Sequence, residues 1–436
     1  MKHKFSSRWA FILACVGSAV GMANVWGFPY KLGTNGGGAF LLIYIFFIAL
    51  FSYVGLSAEY AIGRRAKTGT LGSYEYAWQT RGLGVIGKLI GWLPLAGSLC
   101  IAIGYAVIIA YVLKALTQSL DGSLMSVDTN TWFESFALSP YSVVPYHFIV
   151  VAGTLITLFF GAKSIERTNK IMMPLFFVLF VILAIKVATL DEAINGYKFL
   201  FTADFEKLKE PMVWVSAMGQ AFFSLSITGS GMLVYGAYLS KQENIVDSAK
   251  KTAFFDTCAA MIAALVMIPA VFAYNMDVAA GPSLLFVTLP KILQNMPGGQ
   301  IFAIILFVAV IFGGITSLQN MLEAVAESIM HKFPYLNRSL TLVILCAVCF
   351  GFGVIMEDIT SWGPWMDFVS IYIIPIGAVI GAVSWFWVMK KDELISEINN
   401  SADKIYGRTW YNIGRFIYVP LAGLLCVIAL SMKISF

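Results

Sequence analysis

The chain has 436 residues, of which 59% are hydrophobic and only 12% are charged. A soluble domain has about half apolar residues and a quarter charged ones, so this composition excludes a soluble globular protein and indicates a membrane protein. The formal net charge of +5 is carried by the segments between apolar runs, so it does not indicate a nucleic-acid-binding surface.

Eleven apolar runs follow one another along the chain, each near the ~20 residues that a helix needs to cross a bilayer. No run alternates apolar and polar residues as membrane β-strands do. The first run lacks the small residues of a signal-peptide cleavage site, so we expect it to be retained as a membrane helix. The predicted membrane helices are 7–30, 38–62, 86–117, 145–161, 165–188, 212–239, 246–274, 300–330, 339–356, 364–389 and 411–432.

Lysine and arginine are concentrated in alternate connecting segments. With the N-terminus in the cytoplasm, roughly 21 of the 29 basic residues lie on the cytoplasmic side, which agrees with the positive-inside rule. We therefore expect a multi-pass protein of a bacterial inner membrane, with a cytoplasmic N-terminus. Eleven crossings then place the C-terminus outside.

Three connecting segments are long. The outer segment 118–144 is polar and acidic, and the outer segment 276–299 contains a predicted short helix over 284–295 that covers an entrance. The inner segment 390–408 is charged and is expected to cap the cytoplasmic side. No linker or low-complexity stretch separates the helices, so we expect a single domain.

Two predicted helices, the first and the sixth, are interrupted near their middle by glycines and small polar residues. The interruptions are Gly-Ser-Ala-Val-Gly-Met-Ala-Asn over 17–24 and Phe-Ser-Leu-Ser-Ile-Thr-Gly-Ser-Gly over 223–231. Close packing of small residues between continuous helices is one interpretation. Because the two helices are the first members of two groups of five, we favour the other, a binding site in a transporter built from inverted repeats.

A broken helix offers two kinds of binding group at mid-membrane depth. The end of the first half presents carbonyl oxygens and partial negative charge, which suit a bare cation. The start of the second half presents N–H groups and partial positive charge, which suit a carboxylate. A zwitterion such as an amino acid matches both ends.

Short motifs around these breaks occur in a fixed order along most of the chain. They are Gly17-Ser18-Ala19-Val20-Gly21, Asn24-Val25-Trp26, Phe28-Pro29-Tyr30, Asn35-Gly36-Gly37-Gly38-Ala39-Phe40, Glu59, Gly63-Arg64, Ile165-Glu166, Lys170, Met173-Pro174, Phe222-Phe223-Ser224-Leu225-Ser226 and Gly314-Ile315-Thr316-Ser317. In these motifs the chain resembles the neurotransmitter:sodium symporters, and among them the bacterial amino-acid transporters.

The resemblance implies an all-α membrane protein with the leucine-transporter fold. Eleven membrane helices would form two inverted five-helix repeats, over 1–190 and 211–389, with one accessory helix over 411–432 in a single transporter domain 1–436. The implied function is sodium-coupled import of an amino acid by alternating access. The expected partners are this small molecule and the lipid bilayer, with no nucleic acid and no obligate protein partner.

The resemblance also implies two sodium sites built from oxygen atoms. The first uses Ala19, Asn24, Ser224 and Asp256, together with the substrate carboxylate. The second uses the carbonyls of Gly17, Val20 and Gly313 and the hydroxyls of Thr316 and Ser317. From the residues alone, hydrogen bonding of these two hydroxyls to the preceding turn is the more common arrangement.

The substrate site implied by the resemblance lies between the breaks. The carboxylate would meet the N–H groups of Met22 and Ala23 and the hydroxyl of Tyr105. The amino group would meet oxygens of Ala19, Phe223, Ser224 and Ser226. The side-chain pocket would be formed by Val20, Ile101, Phe223, Gly229, Ser317 and Met321, with Phe223 and Tyr105 as an aromatic lid.

Gly229 suggests a large substrate, because the leucine-selective relative has a phenylalanine at this position. Removing that ring would open space, and the unbranched Met321 can adapt to a flat ring. We therefore expect a hydrophobic, aromatic L-amino acid as substrate.

Asp256 indicates that chloride is not needed. A sodium ion inside the membrane requires a compensating negative charge. Chloride-dependent relatives bind chloride for this purpose, and the leucine transporter uses a glutamate whose position is Ala260 here. Asp256 would be both sodium ligand and counter-charge. The alternative is a protonated aspartate that only links helices six and seven.

The outer gate and the fifth helix depart from the family pattern. Gly27 replaces the usual arginine, although the acidic gate residue is present as Asp367, so this gate is expected to lack its salt bridge. Ser164 replaces the glycine ten residues before Pro174, which makes unwinding of the fifth helix less easy.

The inner gate departs as well. His331 replaces an aspartate, and Lys2 and Phe5 replace an arginine and a tryptophan. The gates would then close more by packing than by ion pairs. Glu323 and Glu327 lie one turn apart on the eighth helix, where they either face an inner water-filled cavity or have a structural role.

The other classes of function for a membrane protein of this kind are an enzyme, a channel and a sensor. The three histidines, His3, His147 and His331, are far apart, and no Walker loop or G-x-S-x-G motif is visible, so an enzyme is not expected. A channel would carry currents above transporter turnover. A sensor that binds an amino acid without transporting it, or a symporter of another zwitterion, stays open.

Overall fold

The computed structural model describes residues 5–276 and 284–435. Within these residues, eight helices are long and apolar enough to cross a membrane, and a ninth crossing consists of two half-helices bent by 61°. A shorter apolar helix and a second broken helix complete eleven membrane helices. They are α1a Arg8–Ala19 with α1b Ala23–Thr34, α2 Gly38–Ala66, α3 Gly84–Leu120, α4 Val144–Leu158, α5 Ala162–Ala188, α6a Pro211–Ser224 with α6b Gly231–Tyr238, α7 Ile245–Ala273, α8 Gly299–Lys332, α9 Arg338–Ile355, α10 Ile359–Val388 and α11 Arg408–Met432.

Both predicted breaks are present. After α1a the backbone becomes extended at Val20, and the chain re-enters the helix at Ala23. Between α6a and α6b, Ser226 and Gly229 adopt positive φ angles of 53° and 77°. Such angles are unfavourable for a side chain and cannot continue a right-handed helix. The sequence therefore correctly located the two positions at which membrane helices are interrupted.

Among the described residues, five further helices longer than three residues lie in the connecting segments. Those over 284–295 and 391–399 agree with the expected outer cover and inner cap. The helices Thr70–Gln79, Thr129–Ala137 and Ala193–Phe201 were not predicted from the sequence.

The outer surface of the helix bundle is apolar. Large side chains such as Ile156 on α4, Ile185 on α5 and Ile301 on α8 are more than 60% exposed, at 72%, 64% and 63%. A soluble protein rarely exposes continuous apolar surface of this kind. An apolar outer surface of this kind is typical of a membrane-spanning helix bundle.

The interior is organised around α8 and the broken helices. α8 packs along α3 and α5, and α1a packs against α5, α7 and α8. α6b packs on α2, while α11 packs on α10 at the edge of the bundle. The two breaks are thus enclosed by α3, α7 and α8.

A buried ion pair fixes the inner cap to the bundle. Arg64, near the inner end of α2, lies 2.5 Å from Glu397 of the helix Lys391–Asn399, and both side chains are buried. Arg64 also donates to the carbonyls of Ser240 and Glu243, which follow α6b. Nearby, the Tyr76 hydroxyl and the Arg65 guanidinium hold the pKa of Glu393 below its usual range.

Candidate substrate and sodium sites

Three polar side chains from three helices meet beside the α1 break. The amide nitrogen of Asn24 lies 2.7 Å from Asp256 Oδ1 and 3.3 Å from Ser224 Oγ. The Ser224 hydroxyl donates to Asp256 Oδ2 at 2.7 Å. All three residues are fully buried, so this cluster brings one carboxylate and several neutral oxygens together inside the membrane.

The helix breaks place these residues. Ser224 is the last residue of α6a, Asn24 lies in the first turn after the α1 break, and Asp256 is in the middle of α7. Asn24 Oδ1 accepts from the freed N–H of Gly21 at 3.0 Å. Across residues 5–276 and 284–435, no group of three His, Cys, Asp or Glu could hold a metal. A single carboxylate with neutral oxygens suits a monovalent cation better than a divalent one.

A second group of oxygens surrounds the end of α1a. The Ser317 hydroxyl on α8 lies 2.9 Å from the Val20 carbonyl oxygen and 3.4 Å from that of Gly17. Thr316 donates to the carbonyls of Gly313 and Phe312, at 3.1 and 2.9 Å. Thr316 therefore does bond to its own preceding turn, as the residue type alone suggested. The five residues predicted for the second site nevertheless lie at one place.

A cavity separates the two breaks. Eight of the predicted substrate residues line it: Ala19, Ala23, Ile101, Tyr105, Phe223, Ser226, Ser317 and Met321. Ser18, Gly21, Ser98, Thr228, Gly231 and Asn320, which were not predicted as substrate residues, also line it. The Tyr105 hydroxyl accepts from the Met22 N–H at 2.6 Å, so two of the expected carboxylate donors are side by side.

Gly229 does not have the predicted position. A Cβ atom on Gly229 would lie 2.6 Å from the Tyr74 hydroxyl and 2.7 Å from the Gly377 carbonyl oxygen, on the side of α10. Its N–H donates to Glu59 at 3.0 Å. The positive φ of this residue turns it away from the cavity, so the prediction that its missing side chain enlarges the pocket is wrong. Thr228 lines the cavity instead.

Three other predicted substrate residues lie outside the cavity lining. Val20 is fully buried and points its carbonyl to Ser317. Ser224 points its hydroxyl to Asp256. Met22 lines a second cavity on the outer side and reaches the inner one only through its contact with Tyr105.

The second cavity, named the outer cavity after the predicted orientation, shares the aromatic pair with the first. Tyr105 and Phe223 line both cavities, which agrees with their predicted position as a lid. Lys31 and Asp367 line the outer cavity together. Lys31 follows Gly27 by four residues and was not predicted. A face of a helix repeats every three to four residues, so this spacing was the available signal.

A family model identifies the protein family of the chain. The model of the sodium:neurotransmitter symporter family matches residues 2–138 and 142–435. The chain belongs to this family. It is a multi-pass membrane transporter that depends on sodium, and it is not an enzyme.

Individual symporters are similar over almost the full length. The sodium-dependent transporter YhdH of Bacillus subtilis is 32% identical, over 99% of this chain and 98% of that protein. A sodium-dependent transporter of Haemophilus influenzae is 27% identical over 96% of each. The crystal structure of MhsT in complex with L-phenylalanine has a TM-score of 0.88 and 32% identity, and covers 98% of this chain and 100% of that one.

Glu323 and Glu327 on α8 were expected either to face a water-filled cavity or to have a structural role. Glu323 is fully buried, 2.5 Å from Arg338 on α9, and accepts from the Tyr238 hydroxyl. Glu327 accepts from the N–H of Gly69 and the hydroxyl of Thr68. Both acids of this symporter therefore connect helices and loops, which favours the structural role.

The inner gate positions are occupied mainly by rings. Phe5 packs edge-to-face against Phe11, Tyr235 and Tyr238. Lys2 lies outside the described residues. α5 is continuous from Ala162, with Ser164 in its first turn, so this helix is not unwound in the structure.

Proposed function

We propose that this symporter imports an L-amino acid with a hydrophobic, aromatic side chain by alternating access. The observation that carries the proposal is the cavity between the two helix breaks, with the Met22 N–H and the Tyr105 hydroxyl at one side. These groups suit a carboxylate, and an apolar wall with a few convergent polar groups is typical of small-molecule sites. The similarity to MhsT, whose structure contains L-phenylalanine, supports this substrate class.

Two sodium ions would accompany the substrate. The first would be held by Ala19, Asn24, Ser224 and Asp256 with the substrate carboxylate, and the second by Gly17, Val20, Gly313, Thr316 and Ser317. Because the substrate completes the first site, ion and substrate should strengthen each other's binding reciprocally. The convergence of these oxygens at the α1 break supports the assignment.

Asp256 would supply the negative charge that balances the first sodium ion, so no chloride is needed. It is the acid of the cluster, and Ala260, one turn along α7, carries no charge. The proposed orientation has the N-terminus in the cytoplasm and the C-terminus outside. In the proposed organisation, 1–190 and 211–389 are the inverted repeats of a single domain, and 411–432 is the accessory helix.

Uptake into proteoliposomes tests the function. The full chain is reconstituted, and uptake of each of the twenty amino acids is measured with an inward gradient of sodium or of potassium. We expect sodium-dependent accumulation of aromatic amino acids. Binding without accumulation would instead identify a sensor, and accumulation of other zwitterions alone would contradict the substrate class.

A further inference from the structure

The lining of the substrate cavity includes polar groups whose hydrogen bonds are incomplete. Asn320 on α8 and Ser18 on α1a both line the cavity and are 3% exposed. Neither Asn320 Oδ1 nor Ser18 Oγ has a hydrogen-bond partner among the described residues. Natural proteins leave few buried polar atoms in this state, and each one calls for an explanation.

The amide of Asn320 lies at the start of α6b. Its nitrogen is 2.6 Å from the point where a Cβ atom on Gly231 would lie. Gly231 thus leaves room for the amide beside the second helix break. Thr228, within the same break, also lines the cavity.

Apolar side chains form another part of the lining. Ile101 on α3, Phe223 at the end of α6a and Met321 on α8 line the same cavity. A side chain held beside these residues would meet apolar surface and, next to it, the amide of Asn320. An unsatisfied buried polar group costs about 1–3 kcal/mol, and a ligand that supplies the missing partner recovers part of this cost.

We propose that Asn320 is a specificity-determining residue, whose amide hydrogen-bonds the polar end of an otherwise apolar substrate side chain. The transported amino acid then carries a hydroxyl or a ring N–H on an aromatic side chain, as in tyrosine or tryptophan. This inference rests on the proposed function and narrows its substrate class. A site built to bond such a group discriminates strongly against an analogue that lacks it.

Tyrosine and phenylalanine differ by one hydroxyl and form the direct test. Initial rates of sodium-driven uptake by the reconstituted full chain give kcat/KM for each. We expect wild-type protein to prefer tyrosine by about tenfold or more, the ratio expected from one well-formed hydrogen bond in a buried site. Asn320→Leu, which removes the amide at similar volume, should reduce this ratio to about one, mainly through loss of tyrosine uptake.

A matched control lies on the same helix. Ile301, a lipid-facing residue of α8, is replaced in Ile301→Val, which should leave the ratio at its wild-type value. If Asn320→Leu does not reconstitute, the tyrosine-to-phenylalanine ratios of Asn320→Ser and of the wild-type protein still test the inference. A kcat/KM for phenylalanine equal to or above that for tyrosine would overturn this inference alone. The partner of the amide would then be an ordered water molecule. Absence of sodium-dependent uptake of any amino acid would overturn the proposed function as well.

Discussion

The carboxylate of Asp256 on α7 lies 2.7 Å from the amide nitrogen of Asn24 on α1b. The hydroxyl of Ser224 holds its other oxygen at 2.7 Å. One acid is therefore oriented by both broken helices at the position where the first sodium ion is proposed. An aspartate that stays protonated and only links α6 and α7 is the alternative, and transport assays separate the two.

Asp256→Ser should make transport chloride-dependent. The substitution leaves a neutral oxygen and removes the proposed counter-charge, so residual uptake should be stimulated by external chloride. Wild-type uptake should be the same in sodium chloride and sodium gluconate. Loss of wild-type transport in gluconate would show that Asp256 is not the counter-charge, and an unstimulated Asp256→Ser protein would favour the protonated aspartate.

Asn24→Leu should abolish sodium-driven uptake. The leucine cannot coordinate a cation and removes one partner of Asp256. The fold should persist, because the site is one small region of a large apolar interior, and thermal melting in detergent checks this. Equal uptake by the wild-type protein in sodium and in potassium would refute the sodium coupling itself.

Lys31 should contribute to closing the outer cavity. Lys31 and Asp367 both line this cavity, and among the described residues neither forms an ion pair. We propose that the two charges approach when the cavity closes, so that Lys31 replaces the arginine missing at Gly27. Lys31→Gln should lower the uptake rate several-fold, as expected for a partly desolvated pair of about 1 kcal/mol.

A charge exchange tests the pairing of Lys31. The double variant Lys31→Asp with Asp367→Lys should recover more activity than either single variant. Lys207→Gln is the control, because Lys207 pairs with Glu210 on the exposed surface. Additive losses in the double variant would exclude a direct pair.

Gly229→Ala should destabilise the protein more than Gly82→Ala. Both glycines have positive φ, 77° and 76°. A Cβ on Gly229 would overlap Tyr74 and Gly377, whereas no atom lies within 4 Å of one on Gly82. The backbone strain is therefore shared, at about 1–2 kcal/mol, and the difference isolates the steric overlap. Melting temperatures in detergent measure it, and equal values would mean that the α6 break can relax.

The polar site residues were assigned through the resemblance to the symporter family. The sequence itself located the two helix breaks, because glycine and hydroxyl residues at mid-membrane depth are unusual. It failed for Gly229, because the direction of a side chain after a break depends on backbone angles that composition does not specify. Ser226 and Gly229 both have positive φ, and these angles change which residues of the break face the cavity. Thr228 rather than Gly229 lines the cavity as a result.

Signals for some missed features were present in the sequence. The helix Thr129–Ala137 begins after Asp128, whose carboxylate caps the Thr131 N–H at 3.0 Å, a standard start signal. The spacing of Lys31 and Gly27 was equally readable. By contrast, the ion pair of Arg64 with Glu397 joins segments 333 residues apart, and one sequence does not reveal such partners.

The Arg64–Glu397 pair has a mechanical consequence. Its guanidinium holds α2, the segment after α6b and the helix Lys391–Asn399 through direct hydrogen bonds. Being buried, this contact is little screened by salt. In the proposed transport cycle, a tilt of α2 must either break this contact or displace the connection between α10 and α11. Such a tilt would therefore be transmitted to the last helices of the chain.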